Sequence, residues 1–224
     1  MDRLNLDGRE IEGIVFDLDG VLADTEPFHV EQWKLTLARH GARLPEGWFN
    51  GLMGYPDVMT ARLLAEEHRI ERGWRTVLEE KRNAVTEGAE RIDLSYPGTS
   101  EGLERLNGMP KAVATSSCRQ VAEAILAGSG LRGYFTAVVS ADDVERTKPD
   151  PECYLTACRR LRLQPERCAA VEDSPAGIEA AGKAGLYVIA VCTSYPRREL
   201  TAADVVFETT KDAISDLAGR FTAA

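Results

Sequence analysis

The chain lacks the residue patterns that build redox, zinc, membrane and nucleic-acid sites. Its five cysteines (Cys118, Cys153, Cys158, Cys168 and Cys192) contain no CxxC pair, and an odd count cannot close a disulfide framework. They read as free thiols in a reducing compartment. No apolar run approaches the length of a membrane span, and the polar N-terminus carries no signal-type apolar region. A soluble, cytoplasmic protein is expected. Lys and Arg number 27 against 36 Asp and Glu, for a net charge of −9. No Lys/Arg-rich patch is present to displace counterions, so neither nucleic acid nor a membrane is an expected partner. Internal repeats and low-complexity tracts are also missing.

What is present is an ordinary apolar share of 44% over 224 residues, enough for an α/β domain carrying a smaller one. The organising stretch is Ile14-Val15-Phe16-Asp17-Leu18-Asp19-Gly20. A short β-branched run stops at two aspartates and a glycine, which reads as a buried strand, Glu12 to Leu18, delivering carboxylates to its C-terminal end. In open α/β sheets, ligands sit beyond that end.

The strand pattern then disappears. Helices are predicted from Glu26 to Gly41, from Asp57 (as N-cap) to His68, and from Glu71 to Glu87. A break at Pro45-Glu46-Gly47, a segment from Trp48 to Leu52 and a turn at Gly54-Tyr55-Pro56 lie between the first two. An insert of this length is too long for a loop and is expected to form a second domain. From Pro97 onward strands and helices alternate. Strands are predicted at Ala112–Thr115, Ala137–Ser140, Ala169–Val171, Tyr187–Val191 and Val205–Phe207. Helices are predicted at Gly98–Leu106, Arg119–Ala127, Pro151–Leu161, Pro175–Ala184 and Lys211–Leu217. The pattern implies an α/β fold with a parallel sheet.

Polar groups stand at or just beyond four strand ends: Asp17/Asp19, Thr115-Ser116-Ser117, Thr147-Lys148-Pro149 and Glu172-Asp173. Parallel strands bring all of these to one face. Several carboxylates with one lysine and a hydroxyl suit Mg²⁺ and a phosphate. A carboxylate attacking a phosphate dianion meets repulsion of roughly 4 kcal/mol per unit-charge pair at about 4 Å in a partly screened site, which a divalent cation offsets.

With these motifs in place, the chain resembles the haloacid dehalogenase superfamily, in its β-phosphoglucomutase-like or CbbY-like phosphatase subgroup. The stretch Asp17 to Glu26 matches the first motif, Thr115 the second, Lys148 the third, and Glu172-Asp173-Ser174-Pro175-Ala176-Gly177 the fourth. The four in order carry far more weight than any one. The resemblance implies a Rossmann-like core at residues 1–24 and 94–224, with an α-helical cap at 25–93. It implies Asp17 as the nucleophile forming an aspartyl-phosphate and Asp19 as general acid and base. Mg²⁺ would be held by Asp17, the Asp19 backbone carbonyl, Asp173 and Glu172, the last directly or through water. Thr115 and Ser116 would bind phosphate and Lys148 would neutralise charge. Thr25 and Glu26 mark the hinge, and His29 stands near it. The expected reaction is Mg²⁺-dependent hydrolysis of a small phosphorylated metabolite, a sugar phosphate, by a monomer.

Each residue also has a plainer reading. Thr115 could cap a helix, Glu172-Asp173 could do the same through helix amides, Asp24 could support its loop, and His29 could simply pack beside Trp33. His40 and His68 fit as dipole partners at helix ends. The charged run from Glu66 to Glu90 reads as a solvated face. A mutase is the alternative, disfavoured because Asp57 stands where relatives place an arginine and would repel a second phosphate. Asp19 disfavours dehalogenation, and no cap lysine matches the Schiff-base former of phosphonate-cleaving relatives. A non-enzymatic phospho-acceptor or binding module is disfavoured by motif order. Trp33, Met53, Tyr55 and Arg62 are candidates for contacting the leaving group.

Overall fold

The computed structural model describes residues 4–43, 47 and 57–221. The expected break at Pro45-Glu46, the segment from Trp48 to Leu52 and the Gly54-Tyr55-Pro56 turn lie outside these residues, as do Met53 and Tyr55. The stretch ahead of the first expected strand forms a hairpin that the sequence reading did not anticipate. Strand β1 (Leu4–Leu6) pairs antiparallel with β2 (Arg9–Ile11). Asp7 and Gly8 carry φ of 48° and 86°, the positive values that a two-residue type I′ turn demands. Three-residue strands are too short to show periodicity, so the Asp-Gly pair is their only sequence signal.

The remaining elements follow the expected order. They are β3 (Gly13–Phe16), α1 (Glu26–Arg39), α2 (Asp57–Glu67), α3 (Gly73–Ala89), α4 (Thr99–Arg105), β4 (Lys111–Ala114), α5 (Arg119–Gly128), β5 (Ala137–Val139), α6 (Glu152–Leu161), β6 (Cys168–Glu172), α7 (Pro175–Ala184), β7 (Tyr187–Val191), β8 (Val205–Phe207) and α8 (Thr210–Phe221). Helix α8 outruns its expected end at Leu217 because buried Ala218 and Phe221 continue its apolar stripe.

Six strands form one parallel sheet in the order β5-β4-β3-β6-β7-β8. Strand β3 lies near the centre, and the chain builds outward from it first through β4 and β5, then through β6, β7 and β8. Such a reversal of winding opens a crevice at the strand ends. Phe16 is in register with both Val113 and Val171, so the residues after these three strands emerge side by side. Alternation along the strands splits the core. Ile14, Phe16, Val113 and Val171 pack with α4, α5 and α8 on one face, while Val15, Ala112, Ala114 and Ala170 pack with α6 and α7 on the other.

Helices α1, α2 and α3 hold a cluster of their own, with Trp33 and Leu37 against Ala61, Leu64, Val77 and Leu78. Two expectations need correction here. The charged run of α3 is not a uniformly solvated face, since Lys81 is only 1% exposed. Its Nζ donates to both carboxylate oxygens of Asp57 at 2.7 and 2.8 Å and stands 5.1 Å from the Trp33 ring centroid. An ammonium survives such burial only when paired. Asp57, in the first turn of α2, therefore serves Lys81 and is not a bare negative charge. No helix among the described residues is long and apolar enough to cross a membrane, and all five cysteines are free.

Candidate active site

Asp17 is placed by the ladder itself. Its amide donates to Val171 O at 2.9 Å, continuing the β3–β6 pairing by one residue. The chain then turns tightly, with Leu22 N and Ala23 N both donating to Leu18 O. Gly20 makes the turn possible, because its φ is +79° and a Cβ there would collide with the Asp173 carboxylate. From β6, Glu172 and Asp173 arrive beside Asp17, and one carboxylate oxygen from each of the three lies within 4.8 Å of the others. Ser174, and neither Glu172 nor Asp173, caps α7 by accepting from Gly177 N at 3.1 Å, so the capping alternative for the acidic pair does not hold.

Lys148 reaches this cluster from the loop ahead of α6. Its Nζ lies 2.8 Å from Asp17 Oδ1 and 2.6 Å from Glu172 Oε1. Although that first distance is short, Asp17 Oδ1 makes no hydrogen bond of good geometry and is buried. The angle is the deciding quantity, so the contact counts as Coulombic. Glu172 is saturated by five donors. Lys148 Nζ and Tyr154 OH bond Oε1, while the amides of Asp173 and Ser174 and the Ser174 hydroxyl bond Oε2. Its carboxylate also occupies the space that a side chain at Gly177 would need.

Asp19 is gripped from two directions. Thr25 Oγ1 donates to Oδ1 at 2.6 Å, while Ser117 Oγ and Thr115 Oγ1 donate to Oδ2 at 2.8 and 3.2 Å. His29 Nε2 stands 3.6 Å from Oδ1, so this histidine faces the site. Thr115 continues its ladder by donating its amide to Val139 O and also accepts from Ser117 N at 3.0 Å. Ser116 is exposed in the same turn. Glu26 opens α1, close enough to feel the charges of His29, Asp19, Lys81 and Asp57. Trp33 is buried in the insert core, and Arg62 stacks 4.6 Å from the Trp74 ring centroid.

The electrostatics are those of an acidic cluster short of positive charge. Burial first, then Glu172, pushes the Asp173 carboxyl up to about 7. Burial raises Asp17 well above the carboxylate range against the pull of Lys148, and Glu172, Asp173 and Asp19 add to it. Asp19 behaves oppositely. Burial would raise it, but His29, Thr25 and Ser117 together hold it well below its usual value. Burial would likewise lower Lys148, yet Asp17 and Glu172 outweigh that and hold it above the ordinary lysine range. Asp17 Oδ1, buried and without a hydrogen bond, and two carboxyls with raised affinity for protons are what a hard divalent cation would satisfy, so the donor set fits Mg²⁺.

Several contributors were not singled out from sequence: Ser117, Tyr154 and Ser194, whose hydroxyl donates to Asp173 Oδ2. Ser117 sits two residues beyond Thr115 and was visible as part of a hydroxyl run. Tyr154 and Ser194 carry no local signal, because only folding brings α6 and the segment after β7 to the cluster.

Comparisons with known proteins agree with this architecture. The family model for haloacid dehalogenase-like hydrolases matches residues 11–185. The chain is similar to the fructose-1-phosphate phosphatase YqaB of Escherichia coli, 35% identical over 183 residues, covering 80% of this chain and 95% of that protein. It is 34% identical over 182 residues to a phosphorylated carbohydrates phosphatase of Thermotoga maritima, covering 79% and 82%. Among solved structures, CbbY from Rhodobacter sphaeroides in complex with phosphate superposes with a TM-score of 0.74 at 29% identity, covering 92% of this chain and 100% of that one.

Proposed function

The chain belongs to the haloacid dehalogenase-like hydrolase family, and from that premise we propose that it is a Mg²⁺-dependent phosphatase acting on a small phosphorylated carbohydrate through an aspartyl-phosphate. The observation that carries the reading is the convergence of Asp17, Asp19, Lys148 and Asp173 at the ends of β3, β6 and the loop before α6. Relatives that are phosphatases of phosphorylated sugars support the substrate class.

In this reading Asp17 attacks phosphorus and takes the phosphoryl group. Asp17, Asp173 and the Asp19 backbone carbonyl would hold Mg²⁺, which would supply charge neutralisation between nucleophile and phosphate. Glu172 serves through a water or through Lys148, because direct ligation would require it to leave its five donors. Thr115 and Ser116 bind phosphate oxygens, with Lys148 balancing their charge. Asp19, held ionised by His29 and its hydroxyl partners, accepts a proton from the hydrolytic water. The proton for the leaving oxygen is carried by the Asp19–His29 pair, whose facing atoms are 3.6 Å apart. Residues 25–93, hinged at Thr25 and Glu26, act as a cap that closes over the site.

The preference for hydrolysis over mutase chemistry no longer rests on repulsion by Asp57, since Lys81 neutralises it. It rests on the phosphatase relatives. The test is phosphate release across a panel of sugar phosphates with and without Mg²⁺, with β-glucose 1-phosphate also assayed for its 6-phosphate isomer. Mg²⁺-dependent release that vanishes in Asp17→Asn is expected. Isomer formation without release would replace this reading by the mutase, and release in excess chelator would remove the metal.

A further inference from the structure

One polar side chain reaches the centre of the site from the mostly apolar stripe of α6. Tyr154 is 0% exposed, flanked on its helix by buried Cys153, Ala157 and Cys158. A phenylalanine would fill nearly the same volume there. The extra hydroxyl has to find a partner, because a buried phenol without one loses free energy. Its partner is Glu172 Oε1, at 2.6 Å.

That same oxygen receives Lys148 Nζ at 2.6 Å, and Lys148 Nζ reaches Asp17 Oδ1 at 2.8 Å. The ammonium also lies 5.2 Å from the Tyr154 ring centroid. Tyr154 therefore meets Lys148 twice, through its ring face and through a shared carboxylate oxygen. Lys148 is divided between two anions, and the balance decides how far its charge extends toward the nucleophile. A proton donated to Glu172 Oε1 draws density from that oxygen and weakens its hold on the ammonium. The phenol keeps its proton, since burial and then the neighbouring Glu172 hold it well above its ordinary range.

We propose that Tyr154 is a positioning residue for phosphoryl transfer, its hydroxyl setting through Glu172 how closely Lys148 approaches Asp17 and the phosphoryl group that arrives there. The inference rests on the phosphatase reading and adds to it a residue that touches neither substrate nor metal. No bond to Tyr154 is made or broken during the reaction.

The experiment compares Tyr154→Phe with Tyr187→Phe. Tyr187 is a matched control, 5% exposed, with its hydroxyl donating to Asp7 Oδ2 at the same 2.6 Å but at the start of β7, the opposite end of the sheet. Because the shared Glu172 oxygen sets how far Lys148 reaches toward the phosphoryl group, Tyr154→Phe is expected to lower kcat by about tenfold or more with KM changed by less than about threefold. The loss is equal for good and poor leaving groups, because Lys148 acts on the phosphoryl group and not on the departing oxygen. Tyr187→Phe lowers the thermal midpoint comparably and leaves kcat alone. A wild-type kcat in Tyr154→Phe, or equal losses of kcat in both variants, overturns the positioning role while the phosphatase reading stands. A wild-type protein that releases no phosphate, or an Asp17→Asn protein that still does, overturns the functional reading and this inference with it.

Discussion

The acidic cluster is expected to make stability depend on pH and Mg²⁺ in a coupled way. Asp173 titrates near 7 when folded against a reference of 3.8. A carboxyl with raised affinity for protons in the folded state contributes nothing below its unfolded value. It opposes folding increasingly as pH climbs toward and past the folded value. About three decades of proton affinity at ~1.36 kcal/mol each give a destabilisation on the order of 4 kcal/mol by about pH 8, and Asp17 adds in the same direction. The other strongly shifted groups of the site act outside this window. Depressed Asp19 stabilises above its unfolded range and loses that contribution only as pH falls below about 4. Raised Lys148 loses its contribution only above the ordinary lysine range. Metal-free protein is therefore expected to become less stable between about pH 4 and about pH 8. Mg²⁺, which takes the place of the protons, should stabilise far more at the upper end than at the lower. For a chain of this size ~4 kcal/mol corresponds to a difference of about 10 °C in thermal midpoint. Thermal unfolding in chelator and in excess Mg²⁺ across that range reads it directly. Asp173→Asn, neutral and of similar shape, should flatten the slope and remove most of the Mg²⁺ response. An Mg²⁺ shift of equal size at both ends of the range would refute the coupling of protons to metal at this cluster.

Three further outcomes follow from particular contacts. Gly20→Ala should cost more than about 2 kcal/mol, since a positive φ penalises any side chain by about 1–2 kcal/mol and the new Cβ strikes Asp173; denaturant titration measures it, and a loss below about 1 kcal/mol would count against that crowding. Asp57→Ala should destabilise by about 2 kcal/mol or more by stranding the buried Lys81 ammonium, whereas Lys81→Met leaves Asp57, a third exposed, to be hydrated and should cost less; the reverse order in chemical denaturation would rule out burial of Lys81 as the cause. Asp19→Ala should spare part of the turnover of substrates with good leaving groups and abolish that of poor ones, and equal losses on both would deny Asp19 its role as acid.

How far the chain explains itself differs from element to element. Asp17 and Asp19 were legible because a four-residue apolar strand ending in Asp-Leu-Asp-Gly is a local statement, complete within eight residues. The alternation of β4 to α8 was equally legible, each element carrying its own period and punctuation. The Asp7-Gly8 hairpin was missed only because its strands are three residues long. Lys81 was misread for a deeper reason. Its neighbours in sequence are charged, and nothing local marks it as the residue that turns inward to meet Asp57 from another helix, 24 positions away. Tyr154 and Ser194 were invisible for the same reason, lying 18 and 21 positions from Glu172 and Asp173, their hydroxyls' partners.

The sequence by itself thus determined the fold class, the order of strands and helices from β3 onward and which carboxylates stand at the end of β3, because hydrophobic period and turn chemistry are short-range. Only the tertiary structure decided which groups shift one another's proton affinity, which carboxylate is saturated and which remains open to a cation, and which lysine is buried. Those properties depend on desolvation and on charges a few ångströms apart, and parallel pairing around β3 sets such distances between residues that the chain itself keeps far apart.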